Sequence, residues 1–159
     1  MIEGLEEVTV VFPNGKQARA DVLGANLSKD CAMAKLQGAG PWPFVEQGDS
    51  KTLKVGDFVV ALGHAGGYDA LRTPPARFGR VVGLNPLGFI GTDCTLIGGD
   101  SGGPLFNLEG DVVGIHSSIG GSLMANNHTG INSFKADWAR LEKGDTWGRL
   151  TMKIGRAHV

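Results

Sequence analysis

Ser101 lies in a glycine-rich stretch whose composition could support nucleophilic chemistry. The stretch runs GGDSGGPLFN from Gly98 to Asn107. A serine hydroxyl attacks a carbonyl carbon only when a base removes its proton and fixed N–H groups stabilise the oxyanion that forms. Gly98 and Gly99 can adopt backbone angles closed to other residues, which would turn the N–H groups of Gly99 and Ser101 toward one point. We therefore predict that Ser101 is a catalytic nucleophile and that Gly99 and Ser101 form its oxyanion hole.

This stretch has two other interpretations. In the first, the glycines form a hairpin turn and the serine is incidental. In the second, residues 99–103 are the GxSxG elbow of α/β-hydrolases, and Ser101 pairs with Asp111 and His128. An elbow requires a helix directly after the serine, whereas Pro104 and a β-like sequence follow here. The sequence context therefore argues against the elbow.

Short apolar runs separated by turn residues indicate an all-β fold around this stretch. The chain contains 26 glycines among its 159 residues, a proportion typical of many turns between strands. Asn14-Gly15 is a strong hairpin signal between the apolar run 8–12 and the alternating segment 16–23. Further strands are predicted at 30–36, 57–62, 78–84, 89–97, 104–106 and 112–116.

One segment near the C-terminal end has the spacing of a helix. Phe134, Trp138 and Leu141 recur at intervals of four and three residues and would form an apolar stripe over residues 133–143. Ser133 is the expected N-cap of this helix. We expect the helix to pack on a β-barrel.

Composition and charge argue against several classes of function. Fifteen basic and sixteen acidic residues give a net charge of -1, so no polybasic surface is expected for nucleic acid or an anionic membrane. No stretch of the sequence approaches the roughly 20 apolar residues of a membrane-spanning helix. Cys31 and Cys94 lack the spacing of a zinc site or a disulfide framework and are predicted to be free, buried thiols. We therefore expect no metal, no cofactor, no nucleic-acid partner and no membrane span.

Three segments resemble the HtrA-type branch of the trypsin-like serine proteases, in the same order and at similar spacing. They are DCAMAKL at 30–36, LKVGDFVVALGHAGGYD at 53–69 and TDCTLIGGDSGGPLFNLEGDVVGIH at 92–116. The resemblance implies an all-β, two-barrel chymotrypsin-like fold with an incomplete N-terminal barrel at 1–73, a C-terminal barrel with its terminal helix at 74–145, and the start of a linker at 146–153. It implies a serine endopeptidase that cleaves peptides or unfolded proteins through an acyl-enzyme. A secreted, periplasmic or envelope location and a homo-oligomeric intact protein are also typical of this branch.

The resemblance assigns roles to four further residues. Asp30 matches the acid that orients the catalytic histidine, although an acid that only caps the turn before a strand is the alternative. The segment 112–119 matches the strand that pairs with the substrate backbone, so His116, Ser117 and Ser118 are predicted to bind substrate. His116 matches a histidine of glutamate-specific relatives, which would suit a preference for acidic side chains. A histidine that fills the edge of the barrel is the alternative at this position.

The sequence departs from the HtrA-type pattern at two places. Asp100 stands where these enzymes commonly have Asn, which leaves open how the loop around Ser101 is held. The catalytic histidine of the family precedes the acid, but no histidine precedes position 64 here, and His64 matches a variable loop position. We therefore expect that the general base is missing, that the chain is a truncated fragment, and that it is inactive as given. The alternative function is a non-catalytic, protease-like module that binds peptides.

The C-terminal tail carries a sign of foreign origin. Residues 154–159, IGRAHV, back-translate to a common sequencing adapter. We expect these six residues to be an adapter artefact.

Overall fold

The computed structural model describes residues 4–122 and 124–149, which form ten strands and one helix. In chain order the elements are β1 Glu7–Val11, β2 Gln17–Asn26, β3 Cys31–Leu36, β4 Phe58–Leu62, β5 Ala76–Leu84, β6 Phe89–Thr92, β7 Pro104–Phe106, β8 Val112–Ile119, β9 Asn126–Gly130, α1 Ile131–Glu142 and β10 Thr146–Trp147. The proposed adapter segment, residues 154–159, lies outside the described residues. Within the described ranges, no helix is long and apolar enough to cross a membrane.

The N-terminal part of the chain forms a four-stranded sheet around β2. Strands β1 and β2 form an antiparallel hairpin, and β3 pairs antiparallel with the other edge of β2. The turn between β1 and β2 contains Gly15 at a φ of 79°, and the Asn14 side-chain oxygen accepts the Lys16 N–H at 3.0 Å. Positive φ favours glycine, so the hairpin predicted from Asn14-Gly15 is confirmed.

The larger unit is a closed six-stranded barrel in the order β4-β5-β6-β9-β8-β7. Its interior is filled by apolar side chains from alternating strand positions and from the loops that adjoin the strands. These buried residues are Leu53, Val59, Ala61, Val81, Ile90, Cys94, Leu96, Leu105 and Val113. Both cysteines are free and buried, as predicted. The all-β fold class, with one closed barrel and one incomplete barrel, is confirmed.

Two details of the predicted domain organisation differ from the structure. Strand β4, residues 58–62, falls in the predicted N-terminal unit 1–73 but pairs with β5 and β7 in the closed barrel. Val59 and Ala61 on β4 have no exposed surface because they face the interior of that barrel. The predicted linker at 146–153 begins with β10, which pairs in parallel with β2.

Helix α1 joins the N-terminal sheet to the barrel. It begins at Ile131 rather than at the predicted Ser133. Its N-cap is Gly130, and no side chain caps it. Leu141 is fully buried, and a Cβ at Gly24 of β2 would overlap the Leu141 backbone, so the helix lies directly against β2. Trp138 is 45% exposed and does not extend the predicted apolar stripe into the core.

Candidate active site

Ser101 lies on an exposed turn before β7, which we call the Ser101 loop (residues 97–103). Gly99 and Gly102 have φ angles of 98° and 87°, in the region that favours glycine. No helix follows the serine, since Pro104 opens strand β7 three residues later. The α/β-hydrolase elbow is therefore excluded, and the glycines shape a tight turn around an accessible hydroxyl.

The backbone N–H groups of Gly99 and Ser101 are both unpaired within the described part of the chain. Each N–H shares a peptide plane with the carbonyl of the preceding residue, and each of these two carbonyls accepts a hydrogen bond. The Gly98 carbonyl accepts the Gly66 N–H at 2.7 Å, and the Asp100 carbonyl accepts the Gly103 N–H at 2.9 Å. Because the carbonyl and N–H of a trans peptide point in opposite directions, these two bonds fix the direction of both unpaired donors. The donors remain available to an external oxygen atom.

Gly99 also packs against the backbone that follows β4. A Cβ at Gly99 would overlap the His64 carbonyl oxygen and the Gly67 nitrogen. The position therefore requires glycine for its φ angle and for the close approach of two backbone segments. The segment that follows β4, residues 64–67, therefore supports the Ser101 loop by direct backbone contact.

Asp100, directly before the serine, is anchored inside the protein and is only 1% exposed. Its Oδ1 accepts a hydrogen bond from the Arg77 Nη2 at 3.1 Å, and its Oδ2 accepts the Ile97 N–H at 2.8 Å. A Cβ at Gly63 would overlap the Asp100 carboxylate, so the end of β4 leaves room for the acid. These contacts hold the Ser101 loop in place. The sequence alone had left open how this loop is held.

Asp30 and Ser117 come together although 87 residues separate them in the chain. The Ser117 hydroxyl donates to Asp30 Oδ2 at 2.7 Å, and Asp30 has a φ of 50° in the turn between β2 and β3. The neighbouring backbone of β8 reaches the Ser101 loop, since the Gly102 N–H donates to the His116 carbonyl at 2.9 Å. Within the described residues, Asp30 Oδ1 has no hydrogen-bond partner. One acid oxygen thus remains open for a further donor.

His116 and His128 form a buried hydrogen-bonded pair across β8 and β9. Their Nδ1 atoms are 2.9 Å apart, His116 Nε2 lies 3.0 Å from the Leu62 carbonyl, and His128 Nε2 lies 2.8 Å from the Thr92 hydroxyl. A carbonyl oxygen can only accept, so His116 carries its proton on Nε2 and accepts at Nδ1. His128 therefore carries its proton on Nδ1 and accepts from Thr92. A single arrangement of protons satisfies every ring nitrogen.

Both histidines are neutral at pH 7. Burial lowers the pKa of His116 to about 4, and burial together with the neighbouring His116 lowers the pKa of His128 to about 3. His116 is 3% exposed and both of its ring nitrogens are occupied, so the structure does not present it to a substrate. This position favours the alternative of a histidine that fills the barrel.

The two predicted substrate-binding serines have different surroundings. Ser117 is directed toward Asp30, which makes it a partner of the predicted acid. Ser118 is half-buried beside Asn127 of β9, whose Nδ2 lies 3.5 Å from the Ser118 Oγ. The strand register shifts between His116 and Ser118. Ser117 therefore has no partner in the β8–β9 register, and its side chain contacts Asp30 instead.

No histidine is hydrogen-bonded to Ser101 or Asp30 among the described residues. His64 is half-buried, stacks edge-to-face on Tyr68 at 5.4 Å, and has a buried Nδ1 with no partner. His158 lies outside the described residues. Within those residues, no group of three potential ligands could hold a metal ion. Among the described residues, the site contains an exposed hydroxyl, a candidate acid and two free N–H donors, but no base in contact with them.

Sequence reasoning missed three contributors to this site. Arg77 and Gly63 hold Asp100, and Thr92 completes the histidine pair. Asp100, in place of the Asn common in HtrA-type enzymes, was the available signal, because a buried carboxylate needs a neighbouring cation. The sequence did not indicate which of several basic residues would supply this cation, because Arg77 is 23 residues away from Asp100, on strand β5.

Similarity to known proteins extends over most of the chain. A family model described as the trypsin-like peptidase domain matches residues 3–115. A protein of Halomonas elongata, described as a probable periplasmic serine endoprotease DegP-like, is 37% identical over 126 residues, covering 75% of this chain and 26% of the relative. A protein of Rickettsia prowazekii with the same description is 31% identical over 168 residues, covering 97% of this chain and 33% of the relative. The chain thus spans between a quarter and a third of the length of these relatives.

Solved structures show the same fold. The HtrA-type protease AlgW with a decapeptide superposes with a TM-score of 0.78 at 24% identity, covering 91% of this chain and 47% of that protein. The serine endoprotease from Yersinia pestis gives a TM-score of 0.75 at 22% identity, covering 89% of this chain and 50% of that protein. With the match over residues 3–115, these findings show that the chain belongs to the trypsin-like peptidase family and is related to its HtrA-type serine proteases.

Proposed function

We propose that this chain is part of a serine endopeptidase in which Ser101 is the nucleophile. The observation that carries the proposal is the pair of unpaired N–H groups, at Gly99 and Ser101, beside an exposed serine hydroxyl. In the reaction, Ser101 Oγ bonds to the carbonyl carbon of a peptide, and the carbonyl oxygen becomes an oxyanion bound by the two donors. The amine then leaves with a proton, which gives an acyl-enzyme, and water releases the new carboxylate.

Asp30 is the acid of this proposed mechanism. Ser117 holds its Oδ2, which leaves Oδ1 for the Nδ1–H of a histidine. That histidine would take the Ser101 proton and return it to the leaving amine. Because none of the described histidines contacts Asp30 or Ser101, and His158 lies in the predicted adapter segment, we infer that the base is supplied by sequence outside this chain. The chain by itself is then expected to lack peptidase turnover.

The substrates are expected to be peptides or unfolded proteins in the periplasm or cell envelope. The relatives are described as periplasmic serine endoproteases, and one solved HtrA-type structure holds a decapeptide. An extended peptide would pair with the backbone of β8 beside the Ser101 loop, with Ser118 along its path. Assembly into a homo-oligomer is expected only of the longer protein.

Peptide hydrolysis by two matched proteins tests the proposal. One is the 159-residue chain, and the other is the longer reading frame that contains it together with its upstream sequence. We expect the longer protein to cleave an unfolded protein such as reduced casein, the S101A variant of that protein to be inactive, and the 159-residue chain to be inactive. A folded longer protein without any cleavage, or with cleavage that survives S101A, contradicts the proposal.

A non-catalytic peptide-binding module is the second candidate. The observation that favours it is the lack of a base in contact with Ser101 among the described residues. In that case the longer protein would bind unfolded casein in a pull-down experiment and leave it intact. Turnover that depends on Ser101 excludes this candidate.

A further inference from the structure

Arg77 and Asp100 form the most buried ion pair among the described residues. The Asp100 side chain is 1% exposed and that of Arg77 is 18% exposed, whereas both partners of the Arg140–Asp145 pair are about half exposed. A buried carboxylate is costly unless a counter-charge and hydrogen bonds compensate for its lost hydration. Arg77 supplies the charge, and Arg77 Nη2 and the Ile97 N–H occupy one carboxylate oxygen each.

This anchoring acts on the peptide plane that carries the Ser101 N–H. The two contacts of the Asp100 carboxylate fix the side chain of the residue immediately before the nucleophile. The Asp100 carbonyl is held by the Gly103 N–H at 2.9 Å, so the same residue is fixed at its side chain and at its backbone. Since the Asp100 carbonyl and the Ser101 N–H belong to one planar unit, rotation at Asp100 would redirect the donor.

The ion pair is built into the closed barrel. Arg77 lies on β5 opposite Ala61 of β4, and β4 ends next to Gly63, where the absence of a side chain admits the Asp100 carboxylate. Arg77, on β5 of the paired strands β4 and β5, therefore contacts the Ser101 loop, which precedes β7. Arg77 Nη1 is buried without a hydrogen-bond partner in the described part of the chain. One guanidinium nitrogen is thus unpaired while Nη2 contacts Asp100.

We propose that Arg77 is a positioning residue for the oxyanion hole. It holds the Ser101 loop, through Asp100, in the conformation that directs the Ser101 N–H toward the substrate carbonyl. The assignment of this N–H to catalysis rests on the proposed function, whereas the ordering of the loop by Arg77 does not. Asp100 and Arg77 form a matched pair: an uncharged residue at position 100 would leave the Arg77 charge buried without a partner.

Amide hydrogen exchange measured by NMR on the 159-residue chain tests the ordering of the loop. The Ile97 N–H reports on the Asp100 carboxylate, and the Gly103 N–H reports on the Asp100 carbonyl. In R77M, which removes the charge and keeps a long side chain, we expect both amides to exchange about tenfold faster or more. R77K, which keeps the charge, should restore part of the protection. The matched control R80Q removes a second arginine of β5, which lies over the Phe58 ring, and should change both rates by less than about twofold.

Two further variants separate local ordering from global stability. V59A opens a cavity in the barrel core and should lower the melting temperature without exposing the Ile97 and Gly103 amides. The double variant R77M/D100N should accelerate exchange by less than the product of the two single effects, because it removes both charges. The proposal is overturned if R77M leaves both rates within about twofold of the wild type, or if V59A accelerates them as much as R77M does.

Catalysis by the longer protein gives an independent readout. There we expect R77K to lower kcat about tenfold and to leave KM within about twofold, because the oxyanion forms only after substrate has bound. An equal loss in R80Q, or a change confined to KM, contradicts a positioning role. If the longer protein has no peptidase activity, the exchange result stands and only the proposed function fails.

Discussion

The buried pair His116 and His128 makes the stability of the barrel depend on pH in a defined window. In the unfolded chain each histidine has a pKa near 6.5, whereas in the folded protein burial lowers the pKa of His116 to about 4 and that of His128 to about 3. Unfolding therefore takes up protons below pH 6.5. The contribution of the pair is fully present above that pH and is lost as the pH falls toward the folded pKa values.

The size of the effect follows from the number of protons taken up. For each histidine that is neutral in the folded state and protonated in the unfolded state, the free energy of unfolding falls by about 1.4 kcal/mol for every unit by which the pH decreases. Between pH 6 and pH 5 the unfolded chain is mostly but not fully protonated at both positions. The expected loss over this interval is about 2 kcal/mol for the pair and about 1 kcal/mol for one histidine.

The lowered carboxyl pKa values of Asp49 and Asp137 do not produce the same loss in this window. For Asp137, burial raises the pKa, but hydrogen bonds from Asn26 and Lys29 outweigh it and hold the pKa below its model-compound value of 3.8. A carboxylate of this kind contributes stability that is lost only as the pH falls through and below that value. A change between pH 6 and 5 therefore reports on the histidines.

Urea unfolding at pH 7, 6, 5.5 and 5 measures the effect. The wild type should lose about 2 kcal/mol between pH 6 and 5, H128Q should lose about half as much, and H116Q/H128Q should be nearly independent of pH over this interval. R80Q, an exposed change in the same barrel, should follow the wild type. A wild-type loss below about 0.5 kcal/mol, or an unchanged loss in the double variant, would refute the arrangement of two neutral rings inside the barrel.

Three substitutions test other contacts by urea unfolding at pH 7. G103A should destabilise the chain by roughly 2 kcal/mol, because its Cβ would lie 2.9 Å from the Asp100 carbonyl oxygen and from a ring carbon of His116. The control G83A has no atom within 4 Å of its Cβ and should be nearly neutral, so equal losses would contradict the packing. S117A should cost about 1.5 kcal/mol through the lost bond to Asp30, and no change would show that the contact is not formed. Leu105 is fully buried, so L105A should cost about 3 kcal/mol, and a loss below 1 kcal/mol would be inconsistent with a packed barrel.

Features encoded locally could be predicted from the sequence. The hairpin at Asn14-Gly15 depends on one residue with positive φ, and the turn around Ser101 depends on glycines at fixed offsets. The predicted strand at 30–36 corresponds to β3, Cys31–Leu36. Such features are set by backbone conformations within a few residues, which is why pattern and composition identify them.

Features that depend on long-range pairing could not be predicted. Strand β4 belongs to the C-terminal barrel because it pairs with β5 and β7, and its own sequence does not indicate which sheet it joins. Helix α1 begins at Ile131 because Gly130 donates to the Gly88 carbonyl at 2.8 Å, 42 residues away in the chain. At this helix end, a tertiary hydrogen bond of Gly130 therefore outweighs the preference of Ser133 for the N-cap position.

The candidate site shows the same division. Short motifs are enough to predict roles for Ser101, Gly99 and Asp30. His116 and His128 could not be recognised as a pair, because their contact depends on the β8–β9 register, in which the two residues face each other. The role of Arg77 could not be predicted for the same reason, since only the fold brings β5 to the Ser101 loop.

Covalent labelling tests most directly whether Ser101 is a catalytic nucleophile. A fluorophosphonate probe phosphonylates a serine that is activated by a base and an oxyanion hole, and mass spectrometry of the digested protein locates the modified residue. With the longer protein that includes the upstream sequence, we predict a single adduct on Ser101, no adduct in S101A, and strongly reduced labelling in D30N. A folded longer protein that remains unlabelled at Ser101, or that is labelled equally well in the D30N variant, would contradict the account.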